Sequence, residues 1–294
     1  MTHPPTEDLA AHRRAAPVPG EAAATARALV VDALRGCDAA LAAWEGGSAG
    51  FGRADELSDL DIGVLCIDGG GRAVLDAIEA ALRGTGHDFD ILDVDPSLFG
   101  IQRFWQARDP LATLAMVDAS VIEHAGQRAQ WEALLVPERH GRAIVLHDPD
   151  GVLADALATT RYDLDAHREL LRAELARIRS RRRLFGTFAA KELTRGRRMD
   201  AEWFHQRMVL QPLVTLLCMW HRPLRHDFGL RYLHDELPEP VASRLAPIVA
   251  PASEIERARA TVDALAWTDE LLDLVDVDAA PLVEHSAQLH AAFG

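Results

Sequence analysis

The sequence predicts an α/β (α+β) domain with a mixed sheet, followed by an all-α domain. Two observations support this fold class. Short apolar segments alternate with amphipathic helical patterns up to about residue 158, and from there strand signals stop and long helical patterns take over. We expect a flexible tail over 1–22, the α/β domain over 23–158 and the helical domain over 159–294.

The elements of the first domain follow from periodicity and turn residues. Apolar residues at helical spacing predict helices over 23–38 and 72–82, and short apolar segments bounded by Gly, Asp and Pro predict the strands. The predicted strands are 41–44, 61–67, 88–94 and 142–147. The last is followed by Asp-Pro-Asp-Gly at 148–151, which we interpret as a turn.

Three long segments of the second domain place apolar residues three and four positions apart, which is typical of helices. They cover 167–193, 201–221 and 253–275. Pro212 lies inside the second of them, so we expect a kink there or the start of a new helix.

Composition limits the function classes. The chain has 294 residues, of which 49% are hydrophobic and 26% charged, which is enough for packed cores and argues against wholesale disorder. The longest apolar-rich run, 208–220, is too short to cross a membrane, and the N-terminus lacks an apolar secretory segment. We expect a cytoplasmic protein without membrane contact. Three widely spaced cysteines predict neither a disulfide framework nor a zinc site.

The charge balance bears on partners. Thirty-one basic residues stand against 45 acidic ones, a net charge of −14, which argues against a general nucleic-acid coat and favours a cationic small molecule. The exception is 172–198, with ten Lys and Arg residues and two acids. We call it the basic strip. A solvated helical face explains it better than a polyanion site, although both readings stay open.

The chemistry centres on Asp59 and Asp61, at the start of a predicted strand. Residues i and i+2 of a strand share a face, so both carboxylates can point toward one place while Leu60 and Ile62 face the core. Close like charges repel, and a divalent cation between them removes that cost. Magnesium is the natural candidate because it prefers hard oxygen ligands.

A third carboxylate from an adjacent strand would complete a two-metal site. Residues 88–95 offer four aspartates, of which Asp88 and Asp90 share one strand face. We choose Asp90. Asp88 near the strand entrance and Asp93 near its exit remain alternatives if the register differs or a bulge intervenes.

The glycine-rich stretch before this strand suits a phosphate. Glycines let backbone N–H groups approach an anion closely, and Ser48 adds a hydroxyl donor beside Gly47. The run Gly47-Ser48, Gly52, Asp55 and Ser58-Asp59-Leu60-Asp61 resembles the signature of the polymerase-β-like nucleotidyltransferase superfamily. Its small-molecule members, of the aminoglycoside and lincosamide type, append a helical C-terminal domain.

This resemblance implies roles for four residues of the motif and for a third acid. Asp59 and Asp61 would bind two Mg²⁺ ions, Gly47 and Ser48 would contact the triphosphate of ATP or another NTP, and the third acid maps to Asp90. Such enzymes commonly reach the triphosphate with a basic residue of the helical domain. Lys191, the only lysine of the chain, is our first candidate. The other candidates are Arg197, Arg198, Arg225 and His226.

The sequence therefore predicts a magnesium-dependent nucleotidyltransferase that moves an NMP group, AMP from ATP, to a hydroxyl of a small molecule such as a cationic antibiotic, releasing pyrophosphate. One alternative is a nucleotidyltransferase toxin or regulator that modifies tRNA or protein and holds a polyanion on the basic strip. A second alternative is an inactive nucleotide-binding interaction protein, which we would expect to have lost one of the acids.

Overall fold

The structure is a computed structural model that describes residues 20–97, 100–109 and 114–293. Most of the predicted tail lies outside these residues, and the first helix already begins at Glu21. The described chain divides into two compact units. We call residues 20–162 with 289–293 the sheet unit, and Asp163–Gln288 the helical unit.

The sheet unit contains one six-stranded mixed sheet, as the sequence predicts. Its strands are β1 (Ala40–Glu45), β2 (Leu60–Cys66), β3 (Phe89–Ser97), β4 (Gly100–Ala107), β5 (Val117–Glu123) and β6 (Ile144–His147). They stand in the order β3-β4-β5-β2-β1-β6. The pair β2 and β5 is parallel, and the other neighbouring pairs are antiparallel.

Strands β4 and β5 are absent from the prediction, and they change the neighbours of the strand that follows Asp59. The structure inserts both between β3 and β2, so β5 is the strand next to β2 on that side. In β5 the buried Val117, Ala119 and Val121 alternate with the half-buried Asp118 and Ser120. This period of two is a genuine strand signal, weakened by its polar residues.

Helices pack against both faces of the sheet. The helices of this unit are α1 (Glu21–Arg35), α2 (Gly47–Gly50), α3 (Gly71–Arg83), α4 (Arg128–Leu134), α5 (Pro137–His140) and α6 (Val152–Thr159). Alternate residues of β2, from Leu60 through Ile62 to Val64, lie in one apolar cluster with Leu34 of α1 and Ile78 of α3. The intervening residues of β2, Asp61 included, therefore face the opposite side of the sheet.

On that opposite side, Trp44 of β1 lies across Gly63 of β2. A Cβ atom at Gly63 would stand 2.2 Å from Cζ2 of the indole, closer than any real contact. Trp44 continues into a second apolar cluster with Leu65, Ile122 and Trp131. Gly63 is thus required by close packing rather than by backbone conformation.

The turn predicted at 148–151 precedes α6. Gly151 has the left-handed conformation, with φ of 73°, and the Asp148 carboxylate accepts hydrogen bonds from the backbone N–H groups of Leu153 and Ala154 at 3.1 and 2.9 Å. The Asp148 carboxylate therefore provides acceptors for two N–H groups in the first turn of α6, which have no partner within the helix.

The described part of the helical unit contains helices and no strand. Its elements are α7 (Leu164–Phe185), α8 (Phe188–Thr194), α9 (Arg198–Phe204), a π-helix (His205–Leu210), α10 (Gln211–His221), a 3₁₀ turn (Pro223–Arg225), α11 (Leu233–Glu236), α12 (Glu239–Val249), α13 (Glu254–Leu274) and α14 (Leu282–Phe293), whose last residues belong to the sheet unit.

Side-chain caps fix where the two longest helices begin. The Asp163 carboxylate accepts from the Ala166 N–H at 2.8 Å, and the Ser253 hydroxyl accepts from the Glu256 N–H at 3.2 Å. The Glu256 carboxylate in turn accepts from the Ala252 N–H, which resembles a capping box.

Pro212 lies in the first turn of α10, directly after the π-helix. A π turn shifts the hydrogen-bond pattern by one residue, and the first turn of a helix tolerates a residue without an N–H. The new helix that the sequence predicts near Pro212 is thus α10, which begins where the π-helix ends.

In the portion of the chain that the structure describes, every helix is too short or too polar to cross a membrane.

Candidate carboxylate site

The loop that leads to Asp59 is held by its own side chains. The Ser58 hydroxyl accepts from the Asp55 N–H at 2.8 Å, and the Asp55 carboxylate accepts from the Leu57 N–H at 3.0 Å. These bonds form a compact turn before β2. Asp55 and Ser58 therefore brace the loop, and Asp59 and Asp61 emerge from it on one face of the strand.

Residues 46–52, which we call the glycine loop, lie against Asp61. Gly47 has φ of +52°, and a Cβ atom there would stand 1.6 Å from Oδ2 of Asp61. The Gly46 N–H also donates to the Asp61 carbonyl at 3.0 Å. Only glycine meets both demands, a left-handed backbone and a carboxylate oxygen directly against the Cα.

Ser48 belongs to the single helical turn α2, which follows Gly46. The first N–H groups of any helical turn have no hydrogen-bond partner within that turn. In α2 these are the N–H groups of Gly47, Ser48 and Ala49, at the start of the loop. Its far end is fixed because Gly50 accepts from the Arg142 N–H at 2.8 Å. The predicted phosphate loop is thus a defined turn beside Asp61.

Asp118 of β5 is the carboxylate that the structure brings to this pair. Parallel pairing places Asp61 opposite Asp118, and side chains opposite each other in register share a face. A hydrogen bond from the Asp61 carboxyl group joins the two, and the charge of Asp59 acts on Asp118 as well. Two carboxyl groups therefore meet across β2 and β5, and Asp59, directly before β2, is the third acid beside them.

Burial is the main cause that raises the pKa of Asp118 above its usual value. The negative charge of Asp59 acts in the same direction, whereas hydrogen bonds from Gln102 and Asp61 oppose it. The Gln102 amide donates to both carboxylate oxygens of Asp118, at 2.8 and 3.0 Å. Asp118 and Gln102 are the site residues that sequence reasoning missed.

A sequence signal for Asp118 did exist. Residues 117–121, Val-Asp-Ala-Ser-Val, alternate apolar and polar side chains, and the aspartate occupies the second strand position, as Asp61 does in β2. A parallel pairing of these two strands would have predicted the contact. Nothing in the sequence marks Gln102.

Asp90 lies elsewhere. It is on the edge strand β3, separated from β2 by β4 and β5, which at three inter-strand spacings is about 14 Å from Asp61. Its carboxylate forms an exposed ion pair with Arg108 at 2.8 Å. The reason is strand order: β3 follows β2 in the chain without being its neighbour in the sheet.

The two alternatives to Asp90 lie equally far across the sheet. Asp88 is exposed and precedes β3. Asp93 pairs with the buried Arg103, whose guanidinium holds the pKa of this carboxyl below its usual value through a hydrogen bond. Arg103 also contacts Glu79 of α3 at 3.0 Å, on the helix-covered face. Neither aspartate meets Asp59 and Asp61.

The donor set suits a hard cation, since carboxylate oxygens are the ligands that Mg²⁺ prefers. Gly47 leaves room for the Asp61 carboxylate, and the neutral Gln102 amide does not cancel the charge. Within the described residues, no three His, Cys, Asp or Glu side chains are already arranged to hold a metal ion.

Lys191 lies in the helical unit. It is exposed on α8, and its ammonium group stands 5.2 Å from the centre of the Phe188 ring. Among the other basic candidates, Arg225 is buried against Glu236 at 3.0 Å. Arg198 pairs with Glu254.

The basic strip is largely neutralised within the helical unit. Six of its arginines form ion pairs with acids of this unit, namely Arg172 with Glu169 and Asp278, Arg177 with Glu174, Arg182 with Asp269, Arg195 and Arg197 with Glu192, and Arg198 with Glu254. A strip that binds a polyanion needs cations that can turn toward it. The observed pairs favour a solvated, ion-paired face.

Comparison with known proteins adds little to this geometry. No protein-family model matches the chain, and no curated protein is significantly similar to it. Among solved structures, a nucleotidyltransferase-like protein from Exiguobacterium sibiricum 255-15 is 12% identical, with a TM-score of 0.36, over 83% of this chain and 71% of that one. A likeness of this size carries no argument about fold or function.

Proposed function

We propose that this protein is a magnesium-dependent nucleotidyltransferase that transfers AMP from ATP to a hydroxyl of a small molecule and releases pyrophosphate. The observation that carries the proposal is the cluster of Asp59, Asp61 and Asp118 beside the glycine loop. Carboxylates on adjacent strands, next to a turn of exposed N–H groups, suit a nucleotide triphosphate with its cations.

Each residue has a place in this proposal. Asp59 and Asp61 would hold two Mg²⁺ ions, and Asp118 would be the third carboxylate in place of Asp90. The bound ions would supply charge neutralisation at the phosphates. Gly47 and Ser48 would donate to the β- and γ-phosphates. Lys191 stays our candidate for a further triphosphate contact.

The sheet order suggests the direction of attack. The glycine loop follows β1, on one side of β2, and Asp118 lies on β5, on the other side. Attacking and leaving oxygens are roughly in line in phosphoryl transfer. With pyrophosphate held by the loop, the acceptor hydroxyl would therefore approach over Asp118.

The reaction balances as a simple displacement. The acceptor oxygen forms a bond to the α-phosphorus, and the bond from that phosphorus to the bridging oxygen of the β-phosphate breaks. Pyrophosphate leaves with the electron pair. The hydroxyl proton passes to the Asp118 carboxylate, which lies on the side from which the acceptor approaches.

The acceptor class follows from charge. The protein carries a net charge of −14, and the site itself is built of carboxylates, so a cationic hydroxyl compound such as an aminocyclitol or amino sugar antibiotic suits it. The ion pairs of the basic strip argue against tRNA as the acceptor. Retention of three converging acids argues against an inactive binding protein. We place the reaction in the cytoplasm.

The test is pyrophosphate release from ATP and Mg²⁺ across a panel of aminoglycosides, lincosamides and sugars, with mass spectrometry to detect an acceptor heavier by one AMP group. Asp59→Asn and Asp61→Asn serve as controls, and each should abolish release because a cation ligand is lost while the fold is kept. Labelled tRNA and total protein in parallel reactions test the macromolecular alternative. Release that survives both substitutions would contradict the proposal.

A further inference from the structure

Gln102 is the one side chain outside the acidic cluster that the described contacts join to an acid of the site. Its Nε2 atom donates to Oδ1 and Oδ2 of Asp118 at 2.8 and 3.0 Å. We propose that Gln102 is the positioning residue of the site, which fixes the plane of the Asp118 carboxylate for cation binding. This inference rests on the proposed function, in which Asp118 is the third carboxylate.

Strand β4 holds Gln102 in place. Gln102 is opposite Ser120 of β5, two residues from Asp118 on the same face, so its side chain reaches Asp118 diagonally. The next residue, Arg103, is buried on the other face and bound to Asp93 and Glu79. This anchor restricts the backbone from which Gln102 extends.

A single nitrogen that bridges both oxygens restricts rotation of the carboxylate about its Cβ–Cγ bond. Each carboxylate oxygen has two lone pairs, so the bonds from Gln102 leave one on each oxygen for Asp61 or for a cation. Groups that hydrogen-bond a ligating side chain in this way commonly set its orientation and tune metal affinity.

The chemical type of the donor matters as much as its position. An arginine or lysine here would neutralise Asp118 and compete with a cation, whereas a neutral amide orients the carboxylate and leaves its charge intact. The Gln102 amide also supplies a hydrogen-bond donor to the partly buried Asp118 carboxylate, whose other neighbours include the acids Asp59 and Asp61. In keeping with this, donation from Gln102 counteracts the effect of burial on the pKa of Asp118.

The experiment compares Gln102→Leu with Gln106→Leu. Leucine keeps approximate size and removes the donor. Gln106 is a matched control on the same strand face, and its amide donates only to the Ala107 carbonyl among the bonds described. Electron paramagnetic resonance measures Mn²⁺ affinity in the presence of a non-hydrolysable ATP analogue, and single-turnover kinetics measures transfer.

Gln102→Leu should weaken Mn²⁺ binding by about 10 to 100-fold, the range typical of lost partners of metal ligands, and Gln106→Leu should not. The rate should fall with little change in the KM for ATP, because the phosphates contact other residues. Gln102→Met, a more flexible apolar replacement, should behave as the leucine variant does and replaces it if that variant does not fold.

Equal Mn²⁺ affinity in the parent and in folded Gln102→Leu or Gln102→Met would overturn the inference while leaving the proposed function standing. An equal loss in Gln106→Leu would also overturn it. A parent that binds Mn²⁺ with the nucleotide analogue but transfers nothing to any acceptor would overturn the proposed function alone, because the affinity comparison still measures the role of Gln102.

Discussion

Asp61 and Asp118 stand opposite each other on the only parallel strand pair described in the sheet, and their carboxyl groups are hydrogen-bonded. An arrangement of two acids in contact, with Asp59 close by, is unfavourable for an apo protein unless a proton is shared or a cation enters.

Substitution of the third carboxylate should separate Asp118 from Asp90. Asp118→Asn should lower the single-turnover rate by more than about 100-fold, as the loss of one transition-state contact does, and leave ATP affinity little changed. Asp90→Asn removes only an exposed ion pair with Arg108 and should leave the rate near that of the parent. An inactive Asp90→Asn beside an active Asp118→Asn would restore the sequence-based assignment.

Gly47→Ala should abolish activity because the new methyl group would occupy the position of the Asp61 carboxylate, 1.6 Å away. Gly52→Ala is the matched control. Gly52 also has positive φ, +65°, but no atom lies within 4 Å of the added Cβ. The control should lose about 1 kcal/mol of stability to backbone strain and keep its rate. Chemical denaturation and turnover rates of both variants measure the difference.

Gly63→Ala should destabilise the sheet unit by about 1 to 3 kcal/mol, because overpacking against the Trp44 indole forces the ring or the strand to move. Trp44→Phe withdraws the atoms that would clash. The double variant should therefore be less destabilised than the sum of the two single changes. Additive losses in urea unfolding would show that the indole is not the obstacle.

Stability of the helical unit should depend on pH through His205. The ring is fully buried between Thr261 and the Ile248 carbonyl, and burial lowers its pKa below the usual 6.5. The unfolded chain then takes up a proton at a higher pH than the folded one. The unfolding free energy should therefore be intact above pH 6.5 and fall as the pH drops below it.

Urea denaturation between pH 5 and about 8, the range in which histidine titrates, measures this slope. His205→Gln, which cannot titrate, should be less stable overall and should show a flatter dependence. An unchanged slope in that variant would assign the pH dependence to another group.

Lys191→Ala should weaken ATP binding more than it slows the bound complex. A single charge contacting a phosphate before the transition state contributes largely uniform binding, and its loss raises KM while leaving kcat unchanged. Arg183→Ala removes an exposed cation from a different helix, α7, and serves as the control. Equal changes in KM for both variants would indicate a general charge effect instead of a contact at Lys191.

Much of the sheet unit was predictable from local patterns. Strands β1, β2, β3 and β6 and helices α1 and α3 combine apolar periodicity with clear turn residues, and Asp59 and Asp61 follow from spacing of two on a strand. Each of these patterns is local, because the residues that form it lie within a few positions of one another in the sequence. The helical segments after residue 160 were predictable for the same reason.

Strand order was not predictable in that way. Sequential strands are often neighbours, which made β3 the expected partner of β2 and Asp90 the expected third acid. The structure instead pairs β2 with β5, whose pattern is weakened by Asp118 and Ser120. Residues that serve a site replace apolar ones, so the strand that carries chemistry is the harder one to recognise.

The parallel pairing of β2 with β5 also has a consequence for how the protein folds. Contacts between residues far apart in the chain form slowly, since the entropy of closing a long loop is lost before the contact contributes. The hairpin of β3 and β4 needs only a local closure, whereas Asp61 meets Asp118 after the whole intervening segment has been ordered. We therefore expect the acidic cluster to form late in folding, so that nascent or partly folded chains lack the activity proposed for the native state.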